Sequence, residues 1–181
     1  GLIGKNGSGK STLLLILSSI LKPSSGEVHI DGSLSHILEV GGNFIPDLTG
    51  RENIHFFLKL NGVSKKQIND QIDDIIDFAG IGAFIDEPVK TYSSGMFLRL
   101  AFSTILQTKS EILLVDEVFN AGDALFREKL KAYFKENLDA NSTMILASHN
   151  PDEIIEFCTH CLWLDKGVIV QKGEANEVLQ S

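Results

Sequence analysis

A run near the start of the sequence, Gly4-Lys5-Asn6-Gly7-Ser8-Gly9-Lys10-Ser11, meets the pattern G-x-x-x-x-G-K-[ST] at every fixed position, and a helical pattern opens behind it with Thr12 and Leu13. Residues of these types at this spacing can hold phosphate. Glycines let the backbone fold tightly, so that successive N–H groups and a helix N-terminus point at phosphate oxygens. Lys10 places a cation on the β and γ phosphates, and Ser11 offers a hydroxyl to Mg²⁺. Gly4, Lys5, Asn6, Gly7, Ser8, Gly9, Lys10, Ser11 and Thr12 are therefore the candidate residues for binding a nucleoside triphosphate. The bland alternative is a glycine-rich turn that happens to precede a helix; it leaves unexplained the apolar strand end, Leu2-Ile3, ahead of the loop.

A second group could supply the chemistry. Ile112-Leu113-Leu114-Val115-Asp116-Glu117 is an apolar run ending in two carboxylates. At the C-terminal end of a strand beside a phosphate loop, Asp116 can hold Mg²⁺ and Glu117 can orient and deprotonate an attacking water. Read alone, the same run is a strand that stops at a solvated acidic turn. His149 directly follows the apolar run 143–147, which puts it on the ligand-binding edge of a parallel sheet. Ser93 and Gly95 in Tyr92-Ser93-Ser94-Gly95-Met96 precede another helical pattern, so they make either a second anion-binding helix end or a plain N-cap. Asp123 is read equally well as the cap of the helix that follows it. The lysines between Arg127 and Lys135 alternate with acids and read as a solvated helix face.

The elements that must position these residues follow from hydrophobic period and end signals. Short, continuous, β-branched runs at 111–115 and 143–147, separated by helical patterns, predict parallel strands covered on both faces by helices. Further strands are expected near 27–30, 35–39, 162–165 and 168–171. Thr49 with Glu52 and Ser64 with Gln67 fit the capping box, and Asn150, Pro151 and Glu153 give a cap, a first-turn proline and a third-position acid. These cues predict helices near 50–60, 65–79 and 151–158, with others near 10–21, 95–107 and 123–138. Residues 44–108 show helices and no strand, as expected of a helical subdomain inserted into an α/β core. Because a phosphate loop ordinarily follows a buried strand, the sequence is expected to lack its N-terminal strands.

Composition narrows the classes. A chain of 181 residues, 43% hydrophobic and 22% charged, supports one domain with a sizeable core. Sixteen Lys and Arg against 24 Asp and Glu leave a net charge of −8, which counts against nucleic acid as the main partner. The longest apolar stretch, 13–21, is broken by Ser18 and Ser19 and falls short of a bilayer span, and no leader pattern opens the sequence, so a cytosolic chain is expected. Cys158 and Cys161 have no second Cys/His pair at zinc spacing and read as reduced thiols.

Taken together, the order of phosphate loop, Ser-Gly helix start, strand with Asp116-Glu117, acidic loop and His149 resembles the ATP-binding subunit of ABC transporters, over nearly the whole chain. Tyr92-Ser93-Ser94-Gly95-Met96 followed by Arg99-Leu100-Ala101-Phe102, together with Pro46-Asp47-Leu48-Thr49-Gly50-Arg51-Glu52-Asn53-Ile54, looks like the subfamily that exports polysaccharides: O-antigen, capsule or teichoic acid. The resemblance implies an α/β P-loop NTPase of ABC ATPase type, a mostly parallel sheet with an inserted helical subdomain.

It also implies ATP and Mg²⁺ as ligands, with Ser11 and Asp116 toward the metal and Glu117 and His149 catalytic. Two copies would close head to tail around two ATPs, so that Ser93, Ser94 and Gly95 of one face the phosphate loop of the other. Asp123 would sit in the loop that communicates between the sites. Integral membrane permease subunits would be the partners, which places the chain on the cytoplasmic side of the inner membrane. Two features depart from the family. Its usual glutamine before the helical insertion is absent, Glu39 being nearest by position, and its adenine-stacking aromatic lies upstream of residue 1. Rival readings are an ABC ATPase for another cargo, a soluble ABC ATPase working on ribosomes or DNA, and a small kinase. The kinase would need phosphate-gripping arginines in a lid, and the only arginines are Arg51, Arg99 and Arg127.

Overall fold

The computed structural model describes residues 1–38, 44–108, 110–117, 122–138 and 142–180. In chain order the elements are β1 (Leu2–Ile3), α1 (Lys10–Leu17), β2 (Leu34–Ile37), α2 (Gly50–Leu60), α3 (Lys65–Ala79), two 3₁₀ turns (Gly82–Asp86 and Val89–Thr91) and α4 (Ser94–Ile105). They continue with β3 (Ile112–Asp116), α5 (Ala124–Asn137), β4 (Thr143–Ser148), α6 (Pro151–Phe157), β5 (His160–Asp165), β6 (Val168–Glu174) and α7 (Ala175–Leu179).

The chain forms two compact units. The first comprises Gly1–Leu38, Ser110–Val118 and Tyr133–Ser181. Its six strands run in the order β2-β3-β4-β1-β5-β6, parallel except for the β5–β6 hairpin. Continuous apolar strands demand cover on both faces, and the inner residues Leu2, Leu114, Ala147 and Leu164 close on Leu14 of α1. Register sets the functional edge. Ile3 lies opposite Ser148 and Asp116 opposite Ala147, so β1, β3 and β4 end together and release Gly4, Glu117 and His149 at one rim.

The second unit comprises Glu39–Lys109 and Phe119–Ala132. Within it α3 packs against both α2 and α4, burying Ile54 and Leu58, Ile68, Ile72 and Ile75, and Leu100 and Phe102. Both expected capping boxes are formed: the Thr49 and Ser64 hydroxyls accept the backbone N–H of Glu52 and Gln67, whose side chains bond back. Asn53, fully buried, fastens the segment ahead of α2: its Nδ2 donates to the carbonyls of Ile45, Leu48 and Thr49 and its Oδ1 accepts the Ile45 N–H. Tyr92 donates its hydroxyl to the Phe84 carbonyl at 2.6 Å and lies against Gly50, where a Cβ would collide with the phenol oxygen. The two segments that carry the subfamily resemblance thus touch, and burial pushes the Tyr92 phenol up.

Three expectations change. Residues 27–30 form no strand; no described residue pairs with them, and Val28 and Ile30 are each 37% exposed, so the alternating pattern finds no ladder. Helix α1 stops at Leu17 rather than near 21, because the Ser18 hydroxyl donates to the Leu15 carbonyl and Ser19 turns left-handed at φ 61°. Strand β6 extends to Glu174, pairing with β5 back to His160. Glu39 lies outside the described residues.

Candidate functional site

The phosphate loop is a backbone device. Gly7 and Gly9 have φ of +79° and +106°, the left-handed region that a side chain disfavours, and this lets the loop double back before α1. Gly4 has no room for a side chain: a Cβ there would meet the Leu164 carbonyl and lie 2.5 Å from Ser8 Oγ. Ser8 is buried behind the loop, its N–H donating to the Lys5 carbonyl, and its Oγ has no hydrogen-bond partner among the described residues.

Lys10 is the electrostatic anomaly of the loop. It occupies the first turn of α1, where a cation opposes the helix dipole, and it is only 5% exposed. Its ammonium donates to the Gly4 carbonyl at 2.7 Å and to the Lys5 carbonyl at 3.4 Å, neither of which carries a countercharge. No acid stands in that first turn and no side chain among the described residues caps it. A buried cation at a positive helix end is balanced by an anion.

The anion has a place to go. A cleft of about 520 Å³ is lined by Asn6, Gly7, Gly9, Lys10, Ser11 and Thr12 on one side and Asp116 and Glu117 on the other. Ser11 and Asp116 bring a hydroxyl and a carboxylate, the hard oxygen donors that suit Mg²⁺. No group of three or more His, Cys, Asp or Glu able to hold a metal exists among the described residues, so such an ion would take its remaining ligands from phosphate and water, the usual arrangement for Mg²⁺.

Glu117 stands at the end of β3 with φ 51°, a left-handed conformation that costs a non-glycine residue on the order of 1 kcal/mol. Its N–H is held by the Ala147 carbonyl at 2.9 Å, and its Oε1 lies 2.9 Å from His149 Nδ1. Strain of this kind collects where a side chain must be aimed. His149 also lines the neighbouring cavity with Gly4, Lys5 and Asn6.

The remaining candidates belong to the second unit. Ser93 caps α4, its hydroxyl accepting the Met96 N–H at 3.2 Å; Ser94 begins the helix, and a Cβ on Gly95 would meet no described atom within 4 Å. Asp123 accepts the Phe126 N–H at 2.9 Å as the cap of α5 and pairs with Arg99 Nη1 at 2.8 Å. The Phe126 N–H first, and then the Arg99 guanidinium, hold the Asp123 carboxyl below the usual range.

Four residues make contacts that escape a reading of the sequence alone. Gly167, at the tip of the β5–β6 hairpin, donates its N–H to the Ser8 carbonyl at 2.8 Å; the signal was the Lys166-Gly167 pair between two strands, both with positive φ. Arg99 also donates Nε to the Ala79 carbonyl. Ser148 and Glu153 form a buried hydrogen bond beneath His149, which no local pattern announces.

Comparison with known proteins agrees with this geometry. The ABC transporter family profile matches residues 1–120. The ABC transporter protein AbcA of Aeromonas salmonicida is 40% identical over 181 residues, all of this chain and 59% of AbcA. The O-antigen export system ATP-binding protein RfbB of Klebsiella pneumoniae is 37% identical over 99% of the chain and 73% of that protein. The teichoic acids export ATP-binding protein TagH of Listeria innocua is 42% identical over 99% of the chain and 53% of that protein. The chain therefore spans less than two thirds of AbcA and of TagH.

Among solved structures, cbiO1 of Clostridium perfringens, part of an ABC transporter complex, superposes with a TM-score of 0.74 at 22% identity over 99% of this chain and 78% of its own. A dimeric ATP-binding cassette, MJ0796, in a post-hydrolysis state with ADP and phosphate, gives 0.79 at 23% identity over 96% and 84%. The fold is that of ABC ATPases, and the chain belongs to the ABC transporter family.

Proposed function

We propose that this chain is the ATP-binding and ATP-hydrolysing part of an ABC exporter of polysaccharide, of O-antigen, capsule or teichoic acid type. The observation that carries the ATPase reading is the buried Lys10 at an uncapped helix end, facing two carboxylates across one cleft. The cargo reading rests on the contacting segments around Gly50 and Tyr92 and on the export functions named for RfbB and TagH.

The chemistry follows from charge and reach. Amides of Gly7, Gly9 and Lys10 and the Lys10 ammonium bind the phosphates; Ser11 and Asp116 would hold Mg²⁺, which would supply charge neutralisation. Glu117 takes a proton from the attacking water. His149, hydrogen-bonded to Glu117, contacts the γ-phosphate. Ser93, Ser94 and Gly95 of a second copy close over that phosphate, and Asp123 lies in the segment that reports between the two sites. Loss of the γ-phosphate removes the anion that joins the halves, and the dimer loosens.

No helix among the described residues is long and apolar enough to cross a membrane. In this reading a permease supplies the pathway, the insertion at about 44–108 meets it, and the ATPase sits peripherally on the cytoplasmic face of the membrane. The test is steady-state ATP turnover by the full-length protein. E117Q should bind ATP and lose turnover by roughly 10²–10⁴-fold; undiminished turnover would reject the general-base assignment.

A further inference from the structure

The turn that carries His149 is fastened from below by a buried acid that the proposed chemistry does not use. Glu153 is 8% exposed and Ser148 fully buried. The Ser148 hydroxyl donates to Glu153 Oε2 at 2.5 Å, at the short end for a charge-assisted O–H···O bond, and Ser148 Oγ accepts the Asn150 N–H at 3.0 Å. In a capping box the acid at the third helical position bonds the N-cap amide directly. Here a serine hydroxyl is inserted between them, so that Glu153, Ser148 and Asn150 form a relay. Asn150 in turn caps α6 by accepting the Asp152 N–H at 3.0 Å. The relay joins the residues on either side of His149 in the chain, and from the turn it fastens the exposed imidazole places Nδ1 2.9 Å from Glu117 Oε1.

We propose that Ser148 and Glu153 are positioning residues for His149: their buried bond sets the imidazole against Glu117 and, on ATP binding, within reach of the γ-phosphate. This inference rests on the catalytic reading of His149 given above. Neither residue lines the cleft between the phosphate loop and Asp116, so their effect falls on turnover and not on phosphate binding.

The experiment measures kcat and KM for ATP in the full-length protein. E153A should lower kcat on the order of 10-fold with KM unchanged within about twofold, the scale expected when a catalytic group is misplaced without being removed. S148A should act in the same direction. E153Q, whose amide oxygen can still accept the Ser148 hydroxyl, should recover most of the loss. H149A/E153A should be no slower than H149A alone, since residues acting through one group are not additive.

Unchanged kcat in E153A and S148A, or losses that multiply with that of H149A, would overturn the inference. If E153A fails to fold, as judged by thermal melting, S148A and E153Q carry the same test. Normal turnover in H149A beside a dead K10A variant would reject the His149 role, and the inference with it, and would leave the phosphate-site reading standing. A slow H149A beside normal E153A and S148A would reject the inference alone.

Discussion

Two helix starts in this protein are built from small polar residues and do opposite things with their free amides. At α1 the N-cap is Gly9 in a left-handed conformation, no side chain caps the first turn, and a buried lysine stands where an acid would be favourable. At α4 the N-cap is Ser93 in an extended conformation, and its hydroxyl accepts the Met96 amide. The first end has no side-chain cap on its amides and no acid to offset its cation. The second has one first-turn amide taken by its own serine and no charge in that turn. The contrast teaches that glycine and serine before a helix do not by themselves tell the two ends apart; a buried lysine with no acid in its turn does.

The comparison can be broken or sharpened by substitution. K10A removes the one charge that makes α1 incomplete, and ATP affinity should fall by at least about 100-fold in equilibrium binding to the full-length protein; retained affinity would mean that the amides suffice. S93A removes a cap the chain itself uses, so the protein should lose about 1 kcal/mol of stability in denaturant unfolding. ATP affinity at the phosphate loop should persist while closure of the dimer weakens, and equal loss of both would mean that α4 has no ligand role. Y92F, just ahead of α4, deletes the hydrogen bond to Phe84 and should cost about 1 kcal/mol; a neutral result would show that the contact with Gly50 alone orders that segment.

The smallest effect lies at Asp123. Its folded pKa is depressed, so its contribution is present above the unfolded carboxylate value near 3.9 and is lost as pH falls through the lower folded value. D123N should therefore lower stability slightly at neutral pH and flatten the acid limb below about pH 4, whereas an unaltered acid limb would assign no weight to the Phe126 N–H and the Arg99 pair.

What is legible in the sequence is what is local. Capping boxes at Thr49 and Ser64 span four residues each, and the phosphate loop eight, so residue type and spacing specify them. Strands β3 and β4 were legible because apolar runs buried on both faces leave no alternative. The strand expected at 27–30 failed because Val28 and Ile30 satisfy the alternation, but a strand also needs a neighbour, which no local pattern supplies. The site was half legible. Glu117 could be named from its place after a strand, yet its left-handed backbone and its bond to His149, 32 positions away, arise only when β3 and β4 end at one rim. Ser148 and Glu153 were hidden for the opposite reason: in sequence they look like an ordinary helix start, and only burial gives them a further task.

The central claim is that ATP joins two copies, held by the α1 end of one and met by the α4 end of the other. The most direct measurement is sedimentation of full-length E117Q with Mg-ATP, with Mg-ADP, and with Mg-ATP in the S93A background. Dimers with ATP only, depleted by S93A, are the predicted result. A species that stays monomeric with ATP, free in detergent and on its membrane partner alike, would contradict the account.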